Sequence, residues 1–271
     1  MAAYQGRPTI ILTGASKGLG LATLELLLKA GTNVVAVQRS STPELESLAS
    51  TYPGVLVISK GDVSVDADNK AAVELAMQAF GRLDALILNA GTLHPLGTHR
   101  NLVGKLDEYK NLFDVNFFSL VSIVGHAVPY LNEREGKDEL KDGAPTGRVI
   151  LVSSGAAIGG VAGWGAYNAS KAAMNSLGRT LANEEPNIVT VSVRPGVVAT
   201  EMQEKIRSIG GEHMTEADHA KFTGLHERGE LLPPQAPGAV LAGLALKAPK
   251  ELSGEFVNWN EEKMGEYTLK A

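Results

Sequence analysis

Tyr167 and Lys171 stand four residues apart, a spacing that puts both side chains on one face of a helix. A free phenol has a pKa of about 10, too high for easy proton exchange at neutral pH. A neighbouring ammonium favours the phenolate, so the pair is expected to lower that value and to move a proton to or from an oxygen. Ser154 lies thirteen residues before Tyr167, directly after an apolar run at 149–153. A hydroxyl there can hydrogen-bond a carbonyl oxygen and steady the charge that grows on it. Alone, a Tyr/Lys pair at helical spacing is ordinarily a solvated surface pair. Its meaning depends on what the rest of the chain brings to it.

The elements that would position these residues alternate along the chain. Strands are expected at 9–13, 33–38, 55–59, 83–88, 149–153 and 188–194, with a further one near Phe256. They are continuous Val/Ile/Leu runs, the pattern of strands covered on both faces. Helices are expected at 19–29, 43–51, 66–80, 107–131 and 167–184. Repeated strand and helix give an α/β fold: a doubly wound parallel sheet of Rossmann type, about seven strands, helices on both faces. The alternation never breaks at a linker, so residues 1–271 read as one domain. Two stretches depart from it. Residues 132–147 are charged and contain Gly and Pro, which suggests an exposed loop. Residues 200–231 are polar and helix-prone, an excursion where a substrate lid would sit.

The first strand runs into Thr13-Gly14-Ala15-Ser16-Lys17-Gly18-Leu19-Gly20, which opens the first helix. Glycines there let the chain turn sharply and let backbone N–H groups approach a pyrophosphate, which the helix N-terminus also attracts. An NAD site places an acid about 20 residues past the glycines, at the end of the second strand. This chain has Gln38 there, followed by Arg39, with Lys17 inside the loop. Two cations and no carboxylate suit a 2′-phosphate, so the expected cofactor is NADP(H).

The spacing G-x-x-x-G-x-G, with Ser154-x12-Tyr167-x3-Lys171, resembles the short-chain dehydrogenase/reductase family in its compact single-domain branch. That spacing selects Ser154 over Ser153. The resemblance implies that Tyr167 donates the proton in reduction and accepts it in oxidation, and that Lys171 also holds the nicotinamide ribose. It implies that Asn116, in Asp114-Val-Asn116-Phe-Phe, kinks a long helix and holds a water in the proton relay. Asp62 and Val63 match the adenine position, and Asn89-Ala90-Gly91 the turn lining the cofactor. Pro195, Gly196 and Val198 match the turn near the nicotinamide, with Thr200 placed to bond its carboxamide. Residues 112–119, 152–156, 163–167, 184–186 and 239–247 are similar to the fungal benzil reductase-like group, itself similar to sepiapterin reductase. A diketone or aromatic ketone is the implied small-molecule carbonyl substrate. Ser154, Ala156, Trp164 and Met202 are candidate pocket residues, and Met214 and Phe222 are either pocket or core. Members are usually dimers or tetramers, so a homodimer or homotetramer is expected. An NADP-dependent alcohol dehydrogenase would use the same residues. A non-catalytic NADP(H)-sensing regulatory protein would keep the fold and lose the chemistry.

Composition excludes other classes. No cysteine means no disulfide, thiolate or Cys-ligated zinc, and fits a cytoplasmic location. A net charge of −5 lacks the basic face a nucleic-acid binder needs. The six histidines lack ligand spacing, and no metal is expected. No basic-then-apolar leader is read at 1–7, and no stretch is read as approaching the roughly 20 apolar residues of a membrane helix, so no membrane partner is expected. Asn168-Ala169-Ser170 matches a glycosylation acceptor by chance, inside an expected helix.

Overall fold

A computed structural model describes residues 6–270 except 134–136, 138–140 and 142. The leader reading at 1–7 therefore falls largely outside the described residues, as does much of the loop expected at 132–147. Among the described residues, seven strands form one parallel sheet in the order β3-β2-β1-β4-β5-β6-β7. They are β1 Thr9–Thr13, β2 Asn33–Gln38, β3 Leu56–Lys60, β4 Ala85–Leu88, β5 Gly147–Val152, β6 Ile188–Arg194 and β7 Phe256–Asn258. β1, β2 and β4 are buried along their whole length, as their unbroken apolar runs require.

Helices cover both faces. On one, α1 (Gly18–Lys29) and α9 (Gln235–Lys247) bury Leu24, Leu27, Val240 and Leu244 against Ile10, Leu12 and Ile150. On the other, α3 (Asp66–Phe80) and α5 (Ser119–Asn132) bury Val73, Ile123 and Leu131 against Ile11, Val35 and Leu86. Each such side chain contributes about 1.5–3 kcal/mol relative to exposure. α2 (Pro43–Thr51) starts at a Thr42 hydroxyl that accepts from Leu45 N, with Pro43 in its first turn.

The helix expected at 107–131 is not one regular helix. α4 (Leu106–Phe113) runs into a π-helical turn, Asp114–Phe118, and then α5. The wide turn swings Asn116 inward until it is fully buried. Leu106–Asn132 taken together is long and apolar enough to cross a membrane, which corrects the expectation that no stretch approaches that length. Its inner face carries Leu112, Leu120 and Ile123 into the protein.

The 132–147 stretch is not uniformly exposed either. Lys137 is buried, and its ammonium donates to the carbonyls of Tyr130, Leu131 and Thr146. It thereby adds a donor to carbonyls at the end of α5, where the helical ladder runs out. The 200–231 excursion folds into α7 (Glu201–Ile209) and α8 (Glu216–Glu227). A single bridge between Val198 and Leu232 closes its base. The Gln203 amide donates to Phe222 O and joins the two helices.

Candidate active site

Strand order reverses between β1 and its neighbours β2 and β4, so the crevice opens at the carboxyl ends of β1 and β4. Asn89, just past β4, spans it. Its amide donates to the carbonyls of Thr13 and Gly14, both at 3.0 Å, while Thr13 Oγ1 accepts from the backbone N–H groups of Asn89 and Ala90. The glycine loop is thus tied to the neighbouring strand. Gly20 must be glycine: a Cβ there would lie 2.0 Å from Gly14 O. No side chain caps the first turn of α1, whose N-terminal amides remain available to an anion. The Thr42 hydroxyl donates to Ser16 O and fixes the loop's outer side, and Leu19 is buried beneath.

At the end of β2, Gln38 is 6 % exposed, and neither its Nε2 nor its Oε1 has a partner among the described residues. Arg39 and Lys17 are exposed beside it, and each faces an acid. Arg39 stands 3.8 Å from Asp62, and Lys17 pairs with Glu201 at the start of α7. The Asp62 carboxylate also accepts from Ser64 N and Oγ, and these bonds with Arg39 outweigh burial and hold its pKa below the usual range. Val63 is buried, its carbonyl accepting from Asn69. A glycine cradle, uncapped helix amides and an orphaned polar side chain at the ribose position fit a dinucleotide.

β5 ends at Val152, and the next two serines point differently. Ser153 is buried and donates to Asn175 Oδ1 at 2.7 Å. Ser154 caps the turn at Gly155–Ala157 by accepting from Ala156 N, and its hydroxyl stands beside the Tyr167 phenol. Tyr167 lies in the first turn of α6 (Gly165–Glu184), and Lys171 one turn later. The Lys171 ammonium donates to Val152 O at 2.7 Å and lies 5.7 Å from the Tyr167 ring centre. A side chain added at Gly91 would lie 3.9 Å from Lys171 Nζ and 3.4 Å from Asn116 Oδ1, so the Asn89-Ala90-Gly91 turn borders both. Asn116 exchanges two bonds with the Thr92 backbone, each 2.8 Å, and donates to Ser170 Oγ. Ser170 in turn donates to Tyr167 O. Thr13, Thr92, Ser170 and Asn175 are supporting residues that motif spacing does not point to. Only the position of Thr13 and Thr92 beside the glycine motifs hints at them.

The electrostatics differ from the expectation drawn from the pair alone. Burial pushes the Tyr167 phenol above its ordinary pKa, and the neighbouring Ser154 hydroxyl offsets only part of this. Burial lowers Lys171 to about 7. The lysine therefore does not set the sign at Tyr167. It is itself short of charge, and it spends a proton on Val152 O. A phenol that stays protonated at neutral pH is in the state of a proton donor.

Above the sheet edge a third apolar cluster surrounds the phenol. Trp164 meets Tyr167 edge-on at 5.7 Å and stacks on Phe222 of α8 at 5.3 Å. Ala156, Leu96, Ile206, Met202 and Met214 complete it. Phe222 and Met214 are thus packed within the cluster that encloses the tyrosine. Gly163 lies under α7–α8: a Cβ on it would meet His213 O at 2.4 Å. Pro195, Gly196 and Val198 follow β6, and Ala199 N donates to Leu232 O at the base of the excursion. Thr200 caps α7, and its hydroxyl reaches Val198 O at 3.4 Å.

Comparison with known proteins gives the chain's family. The sequence profile described as short chain dehydrogenase matches residues 8–209, and the chain belongs to that family of oxidoreductases, whose members use NAD(P)(H). An uncharacterized oxidoreductase of Schizosaccharomyces pombe is 43% identical over 251 residues, covering 92% of this chain and 95% of the relative. A benzil reductase ((S)-benzoin forming) of Saccharomyces cerevisiae is 35% identical over 264 residues, 94% of this chain and 97% of its own. The crystal structure of a short-chain dehydrogenase/reductase from Saccharomyces cerevisiae superposes with a TM-score of 0.88 at 34% identity, covering 96% of this chain and 99% of that one.

Proposed function

We propose that the protein is an NADPH-dependent carbonyl reductase acting on a ketone or diketone, benzil-like or otherwise aromatic or apolar, with Tyr167 as the proton donor. The observation that carries this reading is a buried phenol, held protonated by its burial, with Ser154 beside it and an apolar cluster around it. The similarity to a benzil reductase supports the substrate class. Bound along the glycine loop, NADPH supplies the hydride. The rest falls to the chain. Ser154 holds the carbonyl oxygen and stabilises its growing charge. Tyr167 gives that oxygen its proton, for which a raised pKa is the right bias; as a base for alcohol oxidation the same bias works against it. Lys171 and Asn116 hold the ribose and the far end of the proton path.

Lys17 and Arg39 would leave their acidic neighbours for the 2′-phosphate, with Gln38 beneath them. Asp62 and Val63 would meet the adenine, Asn89, Ala90 and Gly91 would line the cofactor, and Pro195, Gly196, Val198 and Thr200 would lie near the nicotinamide. Ala156, Trp164 and Met202 would line the substrate pocket, under a lid formed by residues 200–231 of a single domain. A homodimer or homotetramer in the cytoplasm completes the reading. Phe118 and Val121, exposed on the outer face of the α4–α5 helix, support such an assembly.

A panel of ketones and diketones assayed with NADPH and NADH in parallel tests the proposal. Reduction of aromatic diketones, faster with NADPH, is expected. Protein that binds NADPH yet reduces no member would overturn it.

A further inference from the structure

Trp164 is 5 % exposed, and its indole Nε1–H has no partner among the described residues. An unmet buried N–H is costly, and phenylalanine would offer a similar aromatic surface without one. The ring is also firmly placed. Trp164 N donates to Val161 O, Trp164 O accepts from Asn168 N, and the residue bridges Gly97. Phe222 stacks on one face, and the Tyr167 ring centre is 5.7 Å away. Trp164 precedes Tyr167 by three residues at the start of α6, which sets both on the same side of its first turn. The enclosure around them is otherwise built from Leu, Ile, Val, Ala, Phe and Met side chains, with Tyr109 packed against it.

We infer that Trp164 is a specificity-determining residue whose indole N–H takes a second oxygen on the substrate, carried by the carbon next to the reacting carbonyl. Resting on the carbonyl reductase reading above, this narrows the substrate class to vicinal dicarbonyl compounds. Ser154 and Tyr167 hold the oxygen being reduced. An oxygen on the adjacent carbon lies on the side of the neighbouring indole. A donor left unmatched inside an apolar enclosure favours a ligand that matches it and penalises the analogue that lacks it.

The test compares benzil with deoxybenzoin, which keeps both rings and one carbonyl but has a methylene in place of the second. The quantity read is the ratio of their kcat/KM values with saturating NADPH, in wild type and in Trp164→Phe. That ratio is expected to fall about 10- to 100-fold in the variant. Inherent reactivity differences between the two ketones cancel, and a general loss of packing would lower both values together. An unchanged ratio, with wild type active on benzil, overturns this inference and leaves the reductase reading standing. Wild type inactive on both substrates overturns this inference, and inactivity on the whole panel takes down the reductase reading as well.

A second measurement needs no variant. In the dead-end complex with NADP⁺, the Trp164 indole N–H resonance should move downfield with benzil and not with deoxybenzoin. No difference between the two ligands overturns the inference.

Discussion

At the amino end of the sheet, Asp84 accepts from Thr9 N at 2.7 Å and from Arg82 at 2.9 and 2.6 Å, with Arg148 nearby donating to Ala248 O. At the carboxyl end, Lys171 is as deeply buried, and among the described residues no carboxylate bonds to it and nothing satisfies the buried polar atoms of Gln38 and Trp164. Both ends bury charge or polarity at a cost in desolvation. The amino end offsets it within the protein, fixing where β1, β4 and β5 begin. The carboxyl end leaves it partly outstanding, as expected where the missing partners belong to ligands.

Removing one group from each end breaks the comparison most directly. Tyr167→Phe keeps the ring and its contact with Trp164, so NADPH binding by fluorescence should persist while kcat falls about 10²- to 10⁴-fold. Near-normal turnover would sink the assignment of the proton donor. Asp84→Asn removes the carboxylate that accepts from Arg82 and Thr9 N and should cost about 3–5 kcal/mol in urea unfolding. The folded fraction should turn over normally, because the cluster lies across the sheet from the crevice. A kinetic defect in correctly folded protein would mean that the two ends are coupled.

The third variant turns the carboxyl end's cost into a measured gain. Lys171→Met should abolish activity and raise stability by about 1–2 kcal/mol near pH 7, net of the bond lost at Val152 O. Folding lowers the lysine from an unfolded value of about 10.4 to about 7. Below pH 7 both states hold the proton and the folded state bears the full penalty. Between these values the unfolded state binds more protons, so wild-type stability rises with pH. The Tm advantage of the variant should therefore vanish and then reverse from pH 7 towards pH 10. A gap that is constant with pH would contradict the buried-ammonium account.

The amino-acid sequence made some of this legible and hid the rest for physical reasons. Strands buried on both faces announce themselves as β-branched runs, and β2 falls where its run predicts. β3 and β5 shift by one or two residues, because their ends depend on pairing with neighbours that are distant in sequence. The π-turn at Asp114–Phe118 is invisible locally, since Asn116 is held by Thr92 from another loop. Lys137 looks like one more charge in a polar loop, yet its partners are backbone carbonyls, which carry no side-chain signal. Spacing placed Tyr167, Lys171 and Ser154 in one group. The sign of the Tyr167 shift could not be read, because it depends on how far Phe222 and Met214 cover the site.

The smallest expected effect is a pH profile, and it sharpens what Lys171 does. Its ammonium is the form able to donate to a ribose hydroxyl, and in the free protein that form dominates only below about pH 7. The pH dependence of kcat/KM for NADPH reports groups of the free enzyme. With the group half protonated at its pKa, the fraction charged falls roughly fivefold from pH 7 to pH 8. kcat/KM for NADPH should fall by that factor over the same interval. The phenol imposes no loss there, since burial holds its pKa above the ordinary value and it remains protonated. A profile flat to pH 9 would mean that the ammonium is stabilised in the free protein by a group other than Val152 O. The carboxyl end would then be as fully compensated as the amino end, and the contrast between them would fail.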